Sequence, residues 1–157
     1  MSQKTPPIPG ESRRRSVAKT ISWRIVGSID TLLLSFLVLT LLGPILGVEA
    51  ASKVEHAKTA SAIALAEVIT KIALYYVHER IWARLRWARG SAGNDRRRRS
   101  VGKTASWRII ATMDTTLLAF LFTGNIGAAA SIGGAEVATK LLLYYLHERA
   151  WARVPWS

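Results

Sequence analysis

The chain has no cysteine among its 157 residues, which excludes disulfides, thiolate nucleophiles and cysteine-based metal sites. Acidic residues are scarce too: ten Asp and Glu face 22 Lys and Arg, leaving a net charge of +12. A balance this basic suits an anionic partner, either nucleic acid or an anionic membrane surface. Of the few prolines, Pro6, Pro7 and Pro9 sit beside Gly10 among polar residues, so residues 1–12 read as a disordered tail.

Apolar side chains, by contrast, are abundant. Half of the chain is hydrophobic and its mean hydropathy is positive. High basicity and high hydropathy coexist only where the two kinds of residue are segregated, and here they are. Basic clusters at 13–15, 80–89 and 96–99 alternate with apolar runs long enough to cross a membrane. That alternation is the positive-inside pattern of a multi-span membrane protein, and it accounts for the arginines more economically than nucleic-acid binding does.

The first apolar run, about 25–43, suffices to cross a hydrocarbon core of ~30 Å as a helix. Basic residues ahead of an apolar run also describe a signal peptide. Against that stand Arg24 and Asp30 interrupting the run, the lack of a small-residue cleavage site, and the recurrence of the whole arrangement. Gly43-Pro44 is expected to end this helix. Ser52-Lys53-Val54-Glu55 then has the spacing of a capping box. It predicts a second helix from about 53 to about 88, with 60–77 in the bilayer.

The chain repeats itself. Arg-Arg-Arg-Ser-Val-Ala-Lys-Thr-Ile-Ser-Trp-Arg-Ile at 13–25 returns at 97–109 with Gly102 and Ala105 as the only changes. Glu67 to Arg84 returns, with apolar exchanges, as Glu136 to Arg153. Trp23 recurs 84 positions on and Glu67 only 69 positions on, so the second copy has lost 15 residues from the connection at Gly124-Asn125-Ile126-Gly127. The halves are 13–89 and 96–157, joined by a linker at 90–95. Both ends of each hairpin are rich in arginine. The 43–59 connection has Lys53 and Lys58 offset by Glu49 and Glu55, and the 124–135 connection is uncharged. The resulting expectation is an all-α protein. Four transmembrane helices form two tandem hairpins in parallel orientation, with both termini and the linker cytoplasmic, in a bacterial inner membrane.

Lys19-Thr20-Ile21-Ser22-Trp23-Arg24 with Asp30-Thr31 forms one motif. Glu67 with Thr70-Lys71, Tyr75-Tyr76, His78-Glu79-Arg80 and Trp82 forms the other, and both recur in the second half. This pattern resembles the family of small predicted prokaryotic membrane proteins known as domain of unknown function 2061, in two tandem copies spanning nearly the whole chain. The resemblance implies a membrane location and brings no activity with it. The duplication and the unequal connections depart from the family pattern.

Helical spacing puts Glu67, Lys71, Leu74, Tyr75, His78 and Trp82 on one stripe. Glu four residues before Lys is the favourable order for an ion pair within a helix. Lys19, Trp23 and Asp30 share a face of the first helix, flanked by Ser28, Thr31 and Ser35. At ~1.5 Å per residue, Asp30 and Lys71 lie at similar depth and Glu67 lies deeper. An unpaired charge there costs on the order of 3 kcal/mol, so the expected intramembrane polar core is Asp30, Glu67 and Lys71 with Asp114, Glu136 and Lys140. Two acids and one deep base per repeat imply a retained proton, and Glu67 is its expected holder. Asp30 can meet Lys71 in its own hairpin or Lys140 in the other. Trp23, Arg24, Tyr75, His78, Arg80 and Trp82, with Trp107, Arg108, Tyr144, His147, Arg149 and Trp151, read as anchors at the membrane interface, with anionic lipid headgroups as partners.

Motif lookalikes fail on spacing. Gly102-Lys103-Thr104 resembles the end of a phosphate loop, but Arg97 stands where its first glycine belongs. His78-Glu79 has Trp82 in place of the second histidine of a zinc-protease helix. Ser16 with Lys19, and Ser100 with Lys103, lack the partner motifs of a serine–lysine nucleophile. No metal site, cofactor motif or catalytic set is legible, so the chain is not expected to be an enzyme. The charged core is expected to staple the helices of an accessory or scaffolding subunit, in a homo-oligomer or a larger membrane complex. The alternative is a small proton-coupled or ion-conducting transporter using Glu67 and Glu136.

Overall fold

A computed structural model of the chain describes residues 13–48, 52–85, 87 and 93–154. The tail at 1–12 and residues 90–92 of the linker lie outside the described residues. Helix α1 (Arg13–Leu37) runs into a π turn (Val38–Leu42) and the short α2 (Gly43–Leu46). Long helices α3 (Lys53–Arg84), α4 (Gly93–Thr123) and α5 (Ile126–Trp151) follow. Helix α4 already begins at Gly93, within the expected linker at 90–95, and α3 ends at Arg84 ahead of it.

Helix ends follow from capping. Ser52 and Glu55 form the reciprocal capping box at the start of α3, as the spacing predicts. Gly43-Pro44 does not end the first helical segment. The Gly43 amide donates to Val38 O across the π turn. Pro44 then sits in the first turn of α2, where its missing N–H breaks no helical bond. The chain leaves the helix at Gly47, whose φ of +74° favours glycine. Helix α3 stops at Arg84, short of Ala88. Arg99 reaches from α4 to donate to the carbonyls of Trp82, Leu85 and Trp87, and its guanidinium lies 5.3 Å from the Trp82 ring centre. Arg15 similarly donates to Trp151 O at 2.9 Å, so the basic arms cap the carbonyl ends of α3 and α5. The second connection is only Gly124 and Asn125, because 126–135 is already helix. Asn125 Oδ1 accepts from the Ala128 amide and its Nδ2 donates to Leu46 O.

The four long helices run alternately up and down, and α1 and α4 each pack against both α3 and α5. Val38, Ile63, Ala119, Ala129 and Ile132 form a small apolar core at the end of the bundle with the short connections. There α4 and α5 approach closely at Gly133, where an added Cβ would overlap the Thr116 hydroxyl. Gly133→Ala is accordingly expected to lower the thermal midpoint of the extracted protein by several degrees. Thr116→Ala on the same background should restore most of it, as followed by circular dichroism.

Polarity is inverted relative to a soluble bundle. Asp30, Thr31, Ser35, Glu67, Asp114, Thr115 and Glu136 are buried, while Leu65, Ile69, Leu121 and Ile126 stand exposed. Such an exterior needs an apolar surrounding. Three segments, Val17–Leu46, Lys53–Arg84 and Ile126–Trp151, are long and apolar enough to cross a membrane. The expected fourth, α4, has the length at 31 residues. Its apolar stretch is diluted by Arg108, Asp114 and the threonines at 112, 115 and 116, so hydropathy alone does not mark it as a span.

Candidate functional site

At mid-bundle, α3 and α5 face each other across the centre and bring together Glu67, Lys71, Glu136 and Lys140. Each lysine forms the expected pair with the glutamate four residues earlier on its own helix. Each also reaches the other helix, Lys71 to Glu136 at 2.9 Å and Lys140 to Glu67 at 2.8 Å. A threonine completes each ammonium group: Lys71 donates to Thr115 Oγ1 and Lys140 to Thr31 Oγ1, both at 3.0 Å. The quartet is electrically balanced and almost wholly buried, with the glutamate side chains only 5–6 % exposed.

Asp30 and Asp114 flank the quartet without joining it. Asp30 accepts from Thr139 at 3.0 Å and Asp114 from Thr70 at 2.8 Å. Asp30 thus contacts neither Lys71 nor Lys140; through Thr139 and Thr70, the acids on the first helix of each half bond to the second helix of the other half. The expectation that Glu67 keeps a proton does not fit this geometry, because one Glu67 oxygen faces two ammonium groups. The acids without a lysine contact are Asp30 and Asp114.

The same crossing continues toward the basic end. Lys19 pairs with Glu148, and Lys103 with Glu79, each at 2.7 Å. Trp82 Nε1 donates to Ser106 Oγ, which also lies 2.9 Å from His78 Nε2. Trp151, Ser22 and His147 reproduce that triad. Tyr75 meets Trp107 edge-to-face at 5.1 Å, and Tyr144 meets Trp23 at 5.2 Å. Each of these interactions occurs twice, as an approximate two-fold axis along the bundle would relate them. His78, Trp82, His147 and Trp151, expected as membrane anchors, therefore join helices to one another, and His78 is buried. Arg80 and Arg149 remain on the exposed surface. Sequence reasoning assigned no role to Ser22, Ser106, Thr70 or Thr139. Their identity in both halves was the available signal, since a hydroxyl at matched positions of a repeat serves a matched bond.

Between the quartet and the basic end, the helices border a cavity of about 290 Å³ on the two-fold axis. Its floor is the quartet. Trp23, Arg24, Trp107 and Arg108 form its walls, together with Tyr75 and the hydroxyls of Thr20, Ser28 and Thr112.

An apolar exterior around a closed ionic core defines an all-helical membrane protein. The chain belongs to the family described as "Predicted membrane protein (DUF2061)", whose model matches residues 17–83 and 101–152, one segment per repeat. No curated protein and no solved structure matches the chain.

Proposed function

We propose that the protein is a non-catalytic four-span subunit whose ionic quartet acts as a clasp, an accessory or scaffolding element within a bacterial cytoplasmic membrane. One observation carries this reading: each buried lysine bonds a glutamate from both halves, so four charges are consumed in joining α3 to α5, with Thr31 and Thr115 tying in α1 and α4. The termini and arginine-rich end face the cytoplasm, by the bias of basic residues, and rest on anionic lipid headgroups. The partners are a second copy or a larger membrane complex, for which the exposed Tyr76, Tyr145 and Leu141 offer apolar contact surface. Neither nucleic acid nor a cofactor enters this reading.

A second reading is a small proton-coupled or ion-conducting transporter, favoured by the cavity that ends on Glu67 and Glu136. Proteoliposomes with a pH-sensitive dye separate the two. The clasp reading expects wild-type protein to move protons no faster than a variant carrying Glu67→Gln, Glu136→Gln, Lys71→Met and Lys140→Met. Proton flux in the wild type that vanishes in the folded variant would establish transport instead.

A further inference from the structure

We propose that the cavity above the quartet is an oxyanion site, taking a phosphate or carboxylate group borne on a small organic body. The argument begins with charge. Below the cavity, two lysines and two glutamates cancel. In its walls, Arg24 and Arg108 are related by the two-fold axis and have no such compensation. Neither forms an ion pair or hydrogen bond with another described residue. Two guanidinium groups in these walls, Arg24 exposed and Arg108 half-buried, lend the space a local positive field.

The remaining wall chemistry agrees. Guanidinium presents paired N–H donors in a planar fork that matches the two oxygens of a carboxylate or phosphate. Ser28 and Thr112, again a symmetry-related pair, add hydroxyl donors below the arginines. The acidic wall residues, Glu67 and Glu136, engage the lysines through Oε1, while Oε2 of each is buried without a hydrogen-bond partner among the described residues. At about 290 Å³ the space exceeds what a bare inorganic anion fills. The Trp23 and Trp107 rings supply apolar faces for a few carbon atoms attached to the oxyanion. A soluble organic phosphate and the headgroup of an anionic phospholipid share this chemistry. The proposal stands apart from the clasp reading, because the quartet holds the helices whether or not the cavity is filled.

The test uses the full chain with two probes, glycerol 3-phosphate for a soluble ligand and phosphatidylglycerol for a lipid. Delipidated protein in dodecyl maltoside is titrated with glycerol 3-phosphate at fixed ionic strength, following the thermal midpoint. Phosphatidylglycerol retained from mixed nanodiscs is counted by native mass spectrometry. The comparison is Arg24→Gln/Arg108→Gln against the surface control Lys53→Gln/Lys58→Gln, two exposed lysines at the opposite end of the bundle. The expected result is binding of at least one probe by wild type and control, weakened tenfold or more in the cavity variant. Response to glycerol 3-phosphate alone assigns a soluble ligand, and retention of phosphatidylglycerol alone assigns a lipid. Equal loss in both variants would reduce the effect to general surface attraction and overturn the proposal. So would failure of wild type to bind either probe. Arginines without partners in the bundle are not needed for folding, and circular dichroism of the variant checks that directly.

Discussion

Glu67→Gln alone is expected to lower the thermal midpoint of the extracted protein by roughly 10 °C, taking about 3–5 kcal/mol for breaking one partner of a buried ion pair. In the native core, Glu67 Oε1 accepts from Lys71 and Lys140 together. The amide keeps the shape but withdraws the negative charge, leaving two ammonium groups to share Glu136. The cost is that of a buried cation that has lost its contacting carboxylate. Replacing all four members, with Glu67→Gln, Glu136→Gln, Lys71→Met and Lys140→Met, removes the imbalance. That protein should melt within a few degrees of wild type. The contrast between one substitution and four is the informative quantity, read by circular dichroism or a dye-free melting assay. A single variant that melts like wild type, or a quadruple variant worse than the single, would show that the quartet does not hold the bundle.

Severing the chain in the linker after Ala88 should leave two fragments that bind one another. The first helix of each half finds its polar partners on the second helix of the other: Asp30 on Thr139, Lys19 on Glu148, Lys103 on Glu79. An isolated half therefore leaves three acids and two lysines without a partner they have in the bundle, together with Ser22, His78 and Trp82 or their counterparts, at several kcal/mol for each unsatisfied group in lipid. Co-expressed halves are expected to purify as a one-to-one complex. Either half alone is expected as a homodimer or not at all, because its own second copy offers the same residues at the same positions. Recovery of a stable monomeric half in detergent, by size exclusion with light scattering, would refute the crossed arrangement.

Much of this was legible in the sequence, and the boundary is physical. Helical periodicity puts Glu67 and Lys71 on one stripe and fixes their pairing, because both ends of that bond lie on one helix. The Ser52–Glu55 box is equally local. Periodicity says which way Asp30 points but not which helix it meets, and the two hairpins present the same residues to either candidate. Only the assembled bundle shows that Asp30 meets neither Lys71 nor Lys140 but Thr139. The belt of Trp82 and His78 misled for a related reason: an amphipathic ring near a helix end suits a lipid interface and a hydroxyl on a neighbouring helix equally well. Pro44 misled because a π turn upstream lets the helix accept it, and nothing in Val38–Leu42 announces that turn.

The small apolar core at the connection end has a consequence for anything entering from the basic end. Val38, Ile63, Ala119, Ala129 and Ile132 close the bundle beyond the quartet, with Ile63, Ala119, Ala129 and Ile132 at 0 % exposure. A solute that passes the arginines arrives in a blind alley, with a layer of locked charges and then a dry plug ahead of it. In this form, passage to the far side would demand parting the very helices that the quartet ties together.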